Sequence, residues 1–126
     1  MIETIIIESS NHEILNVKKI LSKYCPQLHI TNNCNDILAT LKYIERRSHV
    51  LLIINAKMFI HSREETCTNL ALNNEIILVA DSYDYVPKVC QYGMCGYLLK
   101  PIDPEGLIAA VGIAKRRIQS LSLIHI

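Results

Sequence analysis

The chain has 126 residues and a formal net charge of +1, with half of its residues hydrophobic and a fifth charged. This length and composition are typical of one globular domain and exclude a disordered chain. The small net charge gives no sign that the domain itself binds nucleic acid or a membrane surface. No apolar run approaches the roughly 20 residues that span a bilayer, and the first residues lack the layout of a signal peptide, so we expect a cytoplasmic protein.

Apolar segments rich in β-branched residues alternate with segments of helical spacing. The predicted strands are Thr4–Ile7, Leu28–Thr31, Val50–Ile54, Ile76–Val79 and Tyr97–Leu99. Five such alternations predict parallel strands joined by right-handed helical crossovers, and therefore a three-layer α/β sandwich. The first, third and fourth strands are almost wholly apolar, as expected for strands that are covered on both faces.

Helix-capping signals support this division of the chain. Two pairs have the spacing of a capping box, Ser10 with Glu13 and Ser62 with Glu65. The other predicted boundary residues are Asn35 before the second helix, Gly93 after the fourth, and Asp103 with Pro104 at the start of the fifth.

The cysteines give no sign of a disulfide framework or a metal site. Cys25, Cys34, Cys67, Cys90 and Cys95 are odd in number and contain no CxxC pair. We interpret them as small hydrophobic residues of a protein in a reducing compartment.

Polar residues follow the strands at the edge where a parallel α/β sheet carries its chemistry. They are Glu8-Ser9-Ser10, Asn55, Ala80-Asp81-Ser82 and Lys100-Pro101. The turn after the first strand has no glycine, which excludes a dinucleotide-binding loop or a P-loop. No Ser-His-Asp set or cluster of metal ligands is found, so the sequence does not indicate an enzyme.

The segment GYLLKPID (Gly96–Asp103) resembles the last strand of a two-component receiver domain. In that family a lysine precedes a proline, commonly through a cis bond, and an aromatic residue lies three positions before the lysine. Here these are Lys100, Pro101 and Tyr97. The resemblance covers nearly the whole chain. It implies a flavodoxin-like three-layer αβα sandwich with five helices and a five-stranded parallel sheet of order 2-1-3-4-5.

The same resemblance implies a degenerate phosphoacceptor site. Receiver domains use an acceptor aspartate after strand three, two acids after strand one that hold Mg²⁺, a hydroxyl residue after strand four, and the lysine. Carried onto this chain, these positions hold Asn55, Glu8 with Ser9, Ala80 and Lys100. An amide oxygen is a very poor nucleophile, and Mg²⁺ would lose two of its three anionic ligands. We therefore expect a pseudo-receiver that is not phosphorylated and has no cofactor.

Lys100 and Glu8 need another role in such a site. We expect an ion pair across the strand ends. The alternatives left open are an anion held by Lys100, Ser9 and Ser82, and a residual phosphorylation that uses Asp81 as a substitute acceptor.

The output domain is predicted from two further resemblances. The ESSN turn and the IINAKM segment resemble degenerate receivers that precede RNA-binding ANTAR domains of antitermination regulators. The alternative is a LytTR-type regulator that binds DNA, because the segment from Ala80 to Pro101 resembles those receivers. Either output would lie beyond this chain. A flavodoxin-like enzyme or nucleotide-binding protein is a third reading, against which the missing phosphate loop argues.

The resemblance also implies a signalling or dimer face on the fourth helix, fifth strand and fifth helix. The residues assigned to it are Tyr92, Tyr97, Leu107, Val111 and Ile118. We expect a homodimer through this face, with a sensor kinase or another protein as a further partner. The apolar stripe of the last helix fits either a coiled-coil seam or packing on the sheet.

The domain is expected to comprise residues 1–120. The final LSLIHI (Leu121–Ile126) is interpreted as a non-native tail, since it is the translation of an adapter sequence used in preparing sequencing libraries, and is set aside.

Overall fold

The computed structural model describes residues 2–34, 36–44, 47 and 49–124, with the side chains of 32–34 and 121–124 left aside. A five-stranded parallel sheet of order β2-β1-β3-β4-β5 forms its centre, as predicted. The strands are β1 (Ile2–Ile7), β2 (Leu28–Cys34), β3 (Leu51–Asn55), β4 (Glu75–Ala80) and β5 (Gly96–Leu99).

Helices cover both faces of the sheet. They are α1 (Asn11–Tyr24), α2 (Ile37–Ile44), α3 (Ala56–Ile60), α4 (Glu64–Asn73), α5 (Val86–Val89) and α6 (Pro104–Ile124). The described chain thus has six α-helices where the sequence predicts five, because the connection from β3 to β4 contains two. The predicted fourth helix consists of the short α5 between two 3-10 turns, Tyr83–Tyr85 and Cys90–Tyr92.

Side chains that alternate along the strands build two cores, one on each face. Ile6, Leu51 and Ile77 belong to the core under α1 and α6. Ile5 and Leu52 belong to the core under the other helices. All five of these side chains are buried, so the hydrophobic effect holds both helical layers on the sheet.

The last helix packs on the sheet through its apolar stripe. Leu107, Val111 and Ala114 are buried in the core beneath α6. Assigning Leu107 and Val111 to an accessible dimer face is therefore wrong, since these side chains already fill the space between helix and sheet. Ile118 is half-buried. The structure follows the last helix as far as Ile124 and does not test the predicted domain boundary at residue 120.

The predicted helix boundaries have mixed outcomes. The hydroxyl of Ser10 accepts a hydrogen bond from the Glu13 N–H, which confirms it as the N-cap of α1. The second predicted capping box is wrong, because α4 begins after Arg63 and the Ser62 hydroxyl instead donates to the Met58 carbonyl. Gly93 ends its turn in the left-handed region with φ 66°, as a terminating glycine should.

Two other boundaries complete this comparison. The predicted cap Asn35 lies outside the described residues, and the neighbouring Asp36 carboxylate accepts from the Leu38 N–H. The Asp103 carbonyl accepts from the Leu107 N–H and its carboxylate from the Glu105 N–H, so α6 begins where the sequence predicts.

Three cysteines, Cys25, Cys67 and Cys95, are buried thiols as predicted, whereas Cys90 is exposed. The side chain of Cys34 lies outside the described residues. None of the helices in the part of the chain that the structure describes is long and apolar enough to cross a membrane.

Candidate functional site: a closed polar network at the carboxyl edge

Glu8 is the centre of the site. It follows β1, and its side chain is 3% exposed although it carries a carboxylate. Oε1 accepts hydrogen bonds from the Ser9 N–H at 2.9 Å, the Ser9 hydroxyl at 3.3 Å and the Asn55 Nδ2 at 2.8 Å. A buried carboxylate needs such donors, since desolvation without them costs several kcal/mol.

Asn55 uses both ends of its amide. It is the last residue of β3 and is 9% exposed. Its Nδ2 donates to Glu8, while its Oδ1 accepts from the Met58 N–H at 3.1 Å and so caps α3. An aspartate at this position could still cap the helix. It would, however, place a second carboxylate oxygen against Glu8, and two like charges at that distance need a proton or a cation between them.

Lys100 neutralises the buried charge. Its Nζ lies 3.4 Å from Glu8 Oε2 and 3.7 Å from Glu13 Oε1, and its side chain is 15% exposed. The ion pair predicted between Lys100 and Glu8 is therefore present. At an effective dielectric constant near 20, such a pair gains about 5 kcal/mol before the cost of desolvation is subtracted. The peptide bond between Lys100 and Pro101 is cis, as the resemblance implies.

Sequence reasoning missed Glu13 as a member of this site. The spacing from Ser10 predicts a capping box in which Glu13 serves its own helix. In the structure its carboxylate lies beside Lys100 instead. Its position in the first turn of a helix that starts at the carboxyl edge was the available signal, because that turn lies over the strand ends.

The remaining strand-end residues do not join the network. Ala80 is buried and offers no hydroxyl. The Ser82 hydroxyl accepts from the Asp84 N–H and caps the 3-10 turn, and Asp81 is exposed. The anion site considered for Lys100, Ser9 and Ser82 is not assembled here. The Ser9 hydroxyl donates to Glu8, and Lys100 lies between two carboxylates.

The network does not match the magnesium site of receiver domains. Mg²⁺ prefers several anionic oxygen ligands, and Glu8 is the one carboxylate buried among the described strand ends. Both of its oxygens already face N–H, O–H or ammonium groups. Among the residues that the structure describes, no group of three or more His, Cys, Asp and Glu could hold a metal ion.

A set of tyrosines lies beside this edge. The Tyr97 hydroxyl donates to the Ser82 carbonyl at 2.7 Å, and its ring stacks on that of Tyr83 at a centroid distance of 6.0 Å. Burial raises the pKa of the Tyr97 phenol above its ordinary value. Tyr92 meets the Phe59 ring edge-on at 5.5 Å, and burial raises its pKa too. Tyr83 is 65% exposed, so this surface presents an aromatic ring to solvent.

Comparison with known structures places the fold among receiver domains of response regulators. The response regulatory domain of protein mrkE from Klebsiella pneumoniae superposes with a TM-score of 0.73 at 15% identity, covering 94% of this chain and 99% of that one. The receiver domain of an HD domain-containing protein from Pseudomonas fluorescens Pf-5 gives 0.74 at 21% identity, covering 94% and 98%. Likeness at this identity shows a shared fold.

A third neighbour is longer than this chain. A structure of two RcsB dimers bound to two parallel DNAs gives a TM-score of 0.75 at 15% identity, covering 91% of this chain and 61% of the RcsB chain. No protein-family model matches the sequence, and no curated protein matches it either.

Proposed function

We propose that the chain is a receiver-type regulatory domain of a two-component response regulator that works without phosphorylation. One observation carries this proposal: the Asn55 amide bridges Glu8 and the Met58 N–H, at the place where an acceptor aspartate would lie. The site has no nucleophile there, and Lys100, which would bind phosphoryl oxygens, is neutralised by two carboxylates. The domain is not an enzyme and needs no Mg²⁺.

Signals would then enter and leave by protein contact. The tyrosine surface of Tyr83, Tyr92 and Tyr97, with Ile118 on α6, is the proposed signalling face. Its exposed ring at Tyr83 supports this assignment, since aromatic residues are enriched at protein interfaces. A second copy of the chain is the proposed partner, and RcsB, whose receiver has the same fold, forms dimers. A sensor kinase or another protein remains a further proposed partner.

The proposed output is an ANTAR domain that binds RNA in antitermination. Its support is the likeness of the ESSN turn and the IINAKM segment to degenerate receivers of that class. A DNA-binding output, such as a LytTR domain, is the second candidate. The DNA-bound RcsB dimers favour a DNA-binding output of some kind.

The proposal is tested by incubating the chain with Mg²⁺ and acetyl phosphate and measuring its intact mass. We expect no added phosphoryl group on the natural sequence. The matched variant is the double substitution Asn55→Asp with Ser9→Asp, which restores both missing carboxylates and is expected to acquire the group. A phosphoryl adduct on the natural sequence would contradict the proposal and make Asp81 the first residue to examine.

A second measurement distinguishes the absence of a phosphoacceptor from the absence of Mg²⁺ binding. Asn55→Asp places a carboxylate against Glu8, so we expect a loss of about 2 kcal/mol in the free energy of unfolding without Mg²⁺, partly restored by adding it. The natural chain should show no such dependence on Mg²⁺. Thermal unfolding of each protein with and without Mg²⁺ measures both effects. If Mg²⁺ changed the stability of the natural chain as much as that of Asn55→Asp, the network around Glu8 would not exclude the ion.

A further inference from the structure

A second polar cluster lies at the opposite, amino-terminal edge of the sheet. It joins the first residue of β4, Glu75, to the chain just before β5 and to α6. The Cys95 thiol donates to Glu75 Oε2 at 3.2 Å. Arg117 on α6 reaches the same carboxylate oxygen through Nη1 at 3.4 Å. That guanidinium nitrogen also donates to the Gly93 carbonyl at 2.8 Å and lies 3.5 Å from the Cys95 sulfur.

The cluster joins parts of the chain that are otherwise separate. Gly93 and Cys95 lie at the end of the connection from β4 to β5, which carries Tyr83 and Tyr92 of the proposed signalling face. Arg117 lies in the second half of α6, beyond the buried Leu107, Val111 and Ala114. A single side chain therefore connects the end of the tyrosine-bearing connection to the last helix.

We propose that Arg117, Glu75, Cys95 and Gly93 form a latch that couples the β4–β5 connection to the direction of α6. When the latch is closed, the second half of α6 lies against the amino edge of the sheet. When a partner displaces the connection, Gly93 and Cys95 move, Arg117 loses its short hydrogen bond, and the second half of α6 is released. This inference does not depend on whether Asn55 prevents phosphorylation.

Two properties of the cluster suit a reversible contact. The Arg117 side chain is 44% exposed, so its pair with Glu75 is weak enough to open. Gly93 adopts a left-handed conformation, and no atom lies within 4 Å of the position that a Cβ would take there, so the chain is not packed against a neighbour on that side. Cys95 by contrast is 5% exposed, which makes its reactivity a sensitive report of opening.

The test follows alkylation of Cys95 by iodoacetamide with site-resolved mass spectrometry. Cys90 is exposed and serves as the internal reference. In Arg117→Ala we expect Cys95 to react roughly fivefold faster relative to Cys90, the factor that matches the upper range for an exposed charged pair. The matched control is Arg116→Ala, which changes the neighbouring arginine of the same helix and should leave the ratio unchanged.

The sign of the change separates opening of the latch from a purely electrostatic effect. The Arg117 charge lowers the pKa of the Cys95 thiol, against the larger effect of burial. Removing Arg117 with no change in access would therefore reduce the thiolate fraction and slow the reaction. Faster alkylation supports the latch, and slower or unchanged alkylation overturns it.

Hydrogen exchange distinguishes the latch from general loss of stability. The Cys95 amide donates to the Ile76 carbonyl at 2.8 Å and should be protected in the natural chain. In Arg117→Ala we expect faster exchange at residues 93–96 and in α6 after residue 112, with β1 and β3 unchanged. Arg117→Lys keeps the charge and should give an intermediate rate. Uniformly faster exchange through the whole sheet would overturn the proposal.

Discussion

The two edges of the sheet each hold a carboxylate against a cation, but in different surroundings. At the carboxyl edge, the side chain of Glu8 is 3% exposed and that of its partner Lys100 is 15% exposed. At the amino edge, Arg117 is 44% exposed and Glu75 is 15% exposed. A buried pair is costly to break because one charge is left without a partner, whereas water readily replaces an exposed partner.

Because the two ion pairs differ in solvent exposure, we expect them to have different roles. The carboxyl edge is expected to be a fixed element, because the Asn55 amide and the Lys100 ammonium group both hold the buried Glu8 carboxylate. The amino edge is expected to open and close. A mobile response in this domain should therefore begin in the connection from β4 to β5 rather than at the network around Glu8.

The largest expected effect is loss of the buried pair. Glu8→Gln keeps the shape of the side chain but leaves Lys100 with Glu13 as its remaining carboxylate partner among the described residues. We expect the free energy of unfolding to fall by about 3 kcal/mol, measured by urea denaturation at pH 7. The matched change at the other edge, Arg117→Met, should cost no more than about 1 kcal/mol.

A double variant completes that comparison. Glu8→Gln with Lys100→Met removes both charges, so it should be more stable than Glu8→Gln alone. If Glu8→Gln costs no more than Arg117→Met, the contrast between the two edges is wrong. If the change in the free energy of unfolding for the double variant equals the sum of the changes for Glu8→Gln and Lys100→Met, Glu8 and Lys100 are not coupled.

Much of the fold could be predicted from the sequence because its signals are repeated along the chain. Five apolar runs separated by helical spacing determine a parallel sheet, and each predicted strand lies within about two residues of its observed limits except at the end of β2. The pair of Glu8 and Lys100 was predictable as well. Parallel strands bring their carboxyl ends together, and a buried lysine requires an acid.

The features that the sequence could not predict are those that depend on where a side chain points. The spacing of Leu107, Val111 and Ile118 fits a coiled-coil seam or a sheet contact equally well, and the structure buries the first two under α6. Ser62 and Glu65 have capping-box spacing, yet Ser62 bonds back into α3. No sequence motif indicates the amino-edge cluster, because Glu75, Cys95 and Arg117 are far apart in the sequence and are brought together only by the fold.

The second expected effect concerns packing at the amino edge. A Cβ added at Gly96 would lie 2.7 Å from the Ala110 Cβ on α6, which is too close for two carbon atoms. We expect Gly96→Ala to lower the free energy of unfolding by about 2 kcal/mol. The matched control is Gly106→Ala on α6, where the nearest atom is the movable end of Leu98 at 3.3 Å.

The control should be neutral or slightly stabilising, because alanine favours a helix over glycine by about 1 kcal/mol. Gly96→Ala combined with Ala110→Gly removes the clash and should recover part of the loss. Equal effects of Gly96→Ala and Gly106→Ala in urea denaturation would show that α6 does not pack tightly on the start of β5.

A third expected effect, absent at neutral pH, is a loss of stability at alkaline pH that originates at the amino edge. Burial, followed by the hydrogen bond to the Glu75 carboxylate, raises the pKa of Cys95 from 9.0 to about 12. The folded state therefore keeps the proton that the unfolded state releases. The stabilisation is complete below pH 9 and is lost as the pH rises toward 12. Over this range the unfolding equilibrium constant should increase by up to about tenfold per pH unit.

Substitution of the thiol isolates this contribution. Cys95→Ala should show a smaller decrease in urea midpoint between pH 9 and 10.5 than the natural chain, while Cys90→Ala, at an exposed site, should match the natural chain. Some decrease should persist in Cys95→Ala, since burial also raises the pKa of Cys25, Cys67 and Tyr97. Identical slopes for Cys95→Ala and the natural chain would mean that the thiol is already solvated, and the amino edge would then be open in solution.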